Sequence, residues 1–143
     1  MKKIFLIILL SSLSISLFSQ EKYFKNISET QNFSKQIVSL FKENKISQSF
    51  EELTPYWPMP ENEIESIEGQ TIKYLNLIEQ RFGKSIGEFK VKNETISDFA
   101  VRETYIIRYT NSAIRLIFTY YKNEQGFILN AFKWDDSFTE EFK

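Results

Sequence analysis

The 143-residue chain carries 18 Lys+Arg against 19 Asp+Glu, a net charge of −1, and contains no histidine and no cysteine. Those two absences exclude Ser–His and Cys–His nucleophilic catalysis, thiol redox chemistry and ordinary zinc sites. The charge balance gives no electrostatic footprint for nucleic acid or an anionic membrane, and the four scattered glycines form no phosphate-cradling loop.

The chain opens with Lys2 and Lys3, 15 uncharged residues from Ile4 to Phe18, the small Ser19 and then polar Gln20, Glu21 and Lys22. That order predicts a secretory signal peptide over residues 1–19, cleaved near Ser19/Gln20. Fifteen residues rising ~1.5 Å each fall short of a ~30 Å hydrocarbon core. The expectation is therefore an exported domain, periplasmic or secreted, without stable membrane insertion after cleavage. A membrane anchor through residues 4–18 is the alternative. With no cysteine to acylate, a lipoprotein is not expected.

Removal of residues 1–19 leaves 124 residues and takes the basic count to 16, a net charge near −3. Residues 20–143 read as one domain, long enough to bury about two-thirds of the surface of its unfolded chain without a disulfide or metal staple. Fourteen Phe, seven Tyr and two Trp supply the core material.

Along that domain, Phe33, Ile37, Leu40 and Phe41 recur at helical spacing, and Ile46, Phe50 and Leu53 repeat the pattern more briefly before Pro55. "PYWPMP" reads as a rigid aromatic connector. Pro60 suits the first turn of a longer helix, with Glu61, Glu63 and Glu65 favoured by its N-terminal dipole. Its stripe runs through Ile64, Ile67, Thr71, Leu75, Ile78 and Phe82, and Gly83 is the expected C-terminal cap.

After Gly87 the period changes to 2, and in the first strand Phe89 and Val91 alternate against lysines as its apolar side. "EFKVK", "FAVRETYIIRY", "AIRLIFTYY" and "FILNAFKW" read as four strands of an antiparallel meander, so the fold class is α+β with helices first and a curved sheet after them. A two- or four-residue turn in "TNSA" puts Arg108 opposite Arg115 and Tyr105 opposite Phe118. A three-residue loop with Gly126 as its left-handed residue pairs Asn123 with Phe127, Phe118 with Phe132, Leu116 with Trp134 and Arg115 with Asp135. A two- or four-residue loop there would instead set Arg115 beside Trp134. Asp135 is then a cross-strand partner of arginine. Asp135 and Asp136 point to opposite faces and form no catalytic carboxylate dyad.

Three features could carry a site. Arg102, Arg108, Arg115 and Tyr121 share one sheet face, which fits either a solvated surface or an anion- or ligand-binding one. Tyr56, Trp57 and Met59 could rim a pocket, or plug the end of the core. Glu103 shares the face of Tyr105 and Ile107, where a buried carboxylate would have the raised pKa that a general base needs. Its structural reading is a strand-end Glu paired with a lysine such as Lys122. Asp98 reads as a turn residue.

The run from "QRFGKSIGEFKV" through "YIIRYTNSAIRLIFTYYKNEQGFILNAFKWDD", within approximately Thr30 to Asp136, resembles small exported members of the nuclear transport factor 2-like (cystatin-like cone) superfamily. The resemblance implies a curved antiparallel sheet wrapped on helices as a cone with a possible pocket, and often a homodimer through the open sheet face. Relatives of the ketosteroid isomerase and polyketide cyclase types carry acidic and often histidine residues inside the cone.

The leading expectation is an exported non-catalytic domain binding a small apolar ligand or a protein partner, with no cofactor and no metal. Aromatic residues of the sheet would line the pocket, with Tyr56 and Trp57 at its rim and Arg108, Arg115 and Tyr121 on the open face. The alternatives are an isomerase- or cyclase-like enzyme using Glu103, and a subunit or inhibitor whose only role is an interface.

Overall fold

The computed structural model describes residues 22–143, so the leader predicted over residues 1–19 lies outside the described residues. Three helices precede a four-stranded antiparallel meander with strand order β1-β2-β3-β4, and the sheet does not close on itself. Among the described residues, no helix is long and apolar enough to cross a membrane.

The first helix, α1 (Ile27–Lys42), begins at Asn26, whose side chain accepts the Glu29 N–H at 3.0 Å, while the Glu29 carboxylate accepts the Lys25 N–H at 2.7 Å. This reciprocal arrangement satisfies donors that the first turn would leave open. The Phe33, Ile37, Leu40 and Phe41 stripe is buried, as its spacing predicts. In α2 (Ile46–Leu53), Ile46, Phe50 and Leu53 are buried, and a 3₁₀ turn at Thr54–Tyr56 follows. The long α3 (Glu61–Phe82) follows Pro60 and stops at Gly83, whose φ of 86° favours glycine. It buries Ile64, Thr71, Leu75 and Ile78, and Ile67 and Phe82 are half-buried.

The strands are β1 (Ser85–Ile96), β2 (Ala100–Tyr109), β3 (Ala113–Lys122) and β4 (Phe127–Asp135). The inner face packs on the helices. Val101, Tyr105, Ile107, Leu116, Phe118 and Tyr120 point inward, and α1 lies across β1, β2 and β3. Phe132 is the hub of the aromatic core, with ring centroids 5.0 Å from Phe118, 5.5 Å from Phe41, 6.1 Å from Trp57 and 6.2 Å from Phe50.

The ladders correct three expectations. Between β2 and β3 the turn is Thr110–Asn111, closed by the Tyr109 N–H donating to Ser112 O at 2.8 Å. This moves the register by two residues, so Arg108 faces Ala113, Arg115 faces Ile106 and Tyr105 faces Leu116. Each side chain keeps its expected face, but the two arginines are not opposite each other.

Between β3 and β4 the loop has four residues, 123–126, because Lys122 rather than Asn123 pairs with Phe127. The Asn123 side chain accepts from the Gln125 and Gly126 N–H groups, which makes the longer turn. That loop would misalign Arg115, yet Arg115 still pairs with Asp135, Leu116 with Trp134 and Phe118 with Phe132. A bulge between Leu129 and Ala131, with Asn130 as the extra residue, absorbs the offset.

The third correction concerns β1. Phe89 and Val91 face away from the core and are exposed, while Lys90 aligns with Tyr105 on the inner face. Both sheet edges are blunted. β1 has irregularities at Ser85/Gly87 and Lys90/Lys92, and β4 has its bulge and a two-bond bridge from Phe24 to Phe127. Gly126 allows that bridge: its φ is 142°, and a Cβ there would sit 2.5 Å from Phe24 O.

Candidate functional site

Glu103 is fully buried on the inner face of β2. One carboxylate oxygen, Oε1, accepts from the Tyr105 hydroxyl at 3.1 Å and pairs with the Lys90 ammonium at 3.1 Å. The other, Oε2, accepts from the Ser34 hydroxyl at 3.0 Å. Tyr120 OH lies 2.6 Å from Ser34 Oγ and 3.3 Å from Thr30 O, so a chain of hydroxyls links the carboxylate to α1. Burial pushes the Tyr105 and Tyr120 hydroxyls well above the ordinary tyrosine range, reinforced by the charge of Glu103.

This geometry corrects the reading of Glu103 as a strand-end residue beside Lys122. Its cation is Lys90, and a buried carboxylate with a partner for each oxygen stabilises the interior. A general base needs a free lone pair within reach of a substrate proton. Three of the roughly four acceptor positions of the Glu103 carboxylate are taken by the protein, and Glu103 lines none of the grooves described below.

The other candidates are dispersed. Tyr56 stacks on Phe24 at 4.0 Å and leans on Phe33 at 4.9 Å, while buried Trp57 meets Phe132 edge-on. Together they seal one end of the core. Arg108 is exposed on the outer sheet face over the Phe89 ring, and Tyr121 is exposed on the same face against Phe99.

Arg115 is 93% buried, since only 7% of its surface is exposed. It makes a two-pronged contact with Asp135, Nε to Oδ1 at 2.9 Å and Nη2 to Oδ2 at 2.8 Å. It also donates to Glu140 at 2.7 Å and to Glu141 at 2.8 Å. These carboxylates raise its already high pKa. The last two belong to a 3₁₀ turn, Phe138–Glu141, that folds back over the outer face.

A larger concavity lies elsewhere, between α3 and β4. It is a groove of about 620 Å³ floored by Ile78, Phe132 and Trp134, walled by Tyr74 and Leu77, with Arg81 and Asp136 among its polar lining. Tyr74 is 52% and Leu77 45% exposed, so α3 carries apolar side chains beyond the stripe it packs with. The Trp134 indole N–H donates to Thr71 Oγ1 at 3.1 Å, which fixes the ring as part of the floor. Sequence periodicity finds only the buried stripe; the off-stripe Tyr74 and Leu77 were the signal for this groove.

Among the described residues, no group of three or more His, Cys, Asp or Glu is placed to hold a metal ion. No protein-family model matches the chain, and no curated protein and no solved structure matches it.

Proposed function

We propose that this is an exported, non-catalytic binding domain of the nuclear transport factor 2-like kind, and that it holds a small apolar ligand in the groove between α3 and β4. The helices-then-meander order agrees with that resemblance. The observation that carries the binding reading is the convergence of exposed Tyr74 and Leu77 on the Phe132 and Trp134 rings around about 620 Å³. That volume is in the range of small-molecule sites, and a mostly apolar lining with a few polar groups is their usual composition. A flat apolar body would lie on Trp134, with a polar end toward Arg81 or Asp136. The inner face of the sheet is filled by its own aromatic rings, which favours a site on the flank of the sheet over one inside it.

The test is binding of 1-anilinonaphthalene-8-sulfonate, followed by dye fluorescence, to the wild type and to a Leu77→Glu variant. Leu77 is half exposed, so the variant is expected to fold, with binding at least tenfold weaker. Equal binding by both proteins would remove the groove from consideration. An enzyme using Glu103 is the second reading, and the closed geometry around that carboxylate weighs against it.

A further inference from the structure

The outer sheet face is unusually basic for a chain of net charge −1. By register, the four strands place five cations there, Lys92, Arg102, Arg108, Arg115 and Lys133, against two carboxylates, Glu94 and Asp135. Segment 137–143, Ser-Phe-Thr-Glu-Glu-Phe-Lys, lies across this face. Glu141 is held on one oxygen by Arg115 and on the other by the Lys92 ammonium, and Glu140 is held by Arg115.

The fit of this strap is partial. Among the described residues no backbone hydrogen bond ties segment 138–143 to a strand; its backbone bonds stay within the strap, Glu140 N–H to Ser137 O and Phe142 N–H to Thr139 O. Phe138 sits beside Phe89, Val91, Ile106 and Ala113, yet about 380 Å³ of recess remains there, with Arg108 among its lining. Phe142 is 77% exposed. The strap therefore pairs with Arg115 and Lys92 while leaving the apolar recess underfilled.

We infer that this outer face is a docking surface for an acidic peptide segment of a partner protein, with two adjacent carboxylates and a large aromatic residue shortly before them, and that segment 137–143 occupies it in cis. Charge complementarity selects the occupant. The carboxylate pair would take Arg115 and Lys92, and a side chain larger than Phe138 would fill the recess beside Phe89. A tethered strap presents itself at an effective concentration of the order of millimolar, so the partner must compete with it. This site is separate from the α3/β4 groove and does not depend on that reading.

The experiment uses the full chain and a fluorescein-labelled heptapeptide with the sequence of segment 137–143, read by anisotropy. The Glu140→Gln/Glu141→Gln variant loosens the strap while keeping its length and aromatics. It is expected to bind the peptide at least tenfold more tightly than the wild type, and a peptide with both glutamates replaced by glutamine at least tenfold more weakly. Adding Lys92→Gln to that variant should weaken binding severalfold. If circular dichroism shows the double variant misfolded, Phe138→Ala in the full chain serves in its place with the same expectations. Failure of a folded, loosened variant to bind, or equal binding of the acidic and neutral peptides, would overturn the inference. So would a dimer in light scattering that the peptide cannot dissociate, since the face would then belong to a second copy of the chain.

Discussion

Replacing Glu103 with alanine gives the sharpest test of how the interior is held. Three donors aim at its carboxylate: the Tyr105 and Ser34 hydroxyls at 3.1 and 3.0 Å and the Lys90 ammonium at 3.1 Å. Truncation leaves the buried Tyr105 hydroxyl without an acceptor and forces Ser34 to turn its proton to Tyr120 OH, at about 1–3 kcal/mol each. The Lys90 side chain is 26% exposed and can turn to water, so its share is small. The expected loss is about 3–5 kcal/mol, a large part of the ~5–15 kcal/mol typical of a domain. Glu103→Gln keeps an acceptor for Tyr105 and offers Ser34 an amide donor, so it should cost only about 1–2 kcal/mol. Urea unfolding followed by far-UV circular dichroism resolves these values. With a slope of about 2 kcal/mol/M, the alanine variant should lose roughly 2 M in midpoint at unchanged slope. An alanine variant within about 0.5 kcal/mol of wild type, or a glutamine variant as unstable as alanine, would refute the hydrogen-bond reasoning.

Other outcomes follow from the same geometry. Gly126→Ala forces a Cβ to within 2.5 Å of Phe24 O at a φ of 142°, and should cost at least about 2 kcal/mol and open the Phe24–Phe127 bridge, seen as faster exchange of the Phe24 amide. Phe132→Ala removes the ring that touches four others and should destabilise by about 3–5 kcal/mol in the same urea assay. Acid should weaken the strap. Burial pushes Asp135 up, but the Arg115 guanidinium and the Ser137 N–H bring it below its ordinary 3.8, while Lys92 and Arg115 hold Glu141 below its ordinary 4.5 against burial. Stability from depressed carboxylates is present above their ordinary values and is lost as pH falls through the folded ones. Stability should thus decline below about pH 4.5, and Arg115→Met should flatten that decline. At the alkaline end, burial, with the charge of Glu79, pushes Tyr109 up to about 12. A raised value stabilises the fold below pH ~10 and is lost through pH ~12, so ultraviolet titration should show Tyr109 ionising late.

The helices were legible because their information is local. The Phe33–Phe41 and Ile64–Ile78 stripes need only a 3.6-residue period, and Gly83 marks its own stop. The side chains of β2 and β3 were assigned to the right faces because alternation survives any even shift of register. The register itself was not legible, because "TNSA" accommodates more than one turn and the choice rests on which side chains meet across the ladder. In β1 the pattern misleads: Lys90 turns inward because Glu103, 13 positions later, awaits it, and Phe89 turns outward as a result. The strap was missed altogether, although an arginine buried on a sheet face demands several acceptors and "TEE" follows close behind Asp135. The sequence allows Tyr56 and Trp57 as either rim or plug, and their packing on the Phe24 and Phe132 rings is that of a plug.

The bulge at Asn130 makes β4 tolerant of changes in length. It separates two requirements that a straight strand would couple: the span of the 123–126 loop and the meeting of Arg115 with Asp135. Deleting Asn130 would straighten the ladder while preserving each pair on either side, from Lys122–Phe127 to Arg115–Asp135. Inserting a residue between Ala131 and Trp134 has no such refuge and would turn Trp134 out of the α3 groove. β4 thus has a position where deletion is nearly neutral, a few residues upstream of a stretch where a change of length is not. A one-residue scan of indels from Asn123 to Asp136 would show that boundary as an abrupt fall in folded yield.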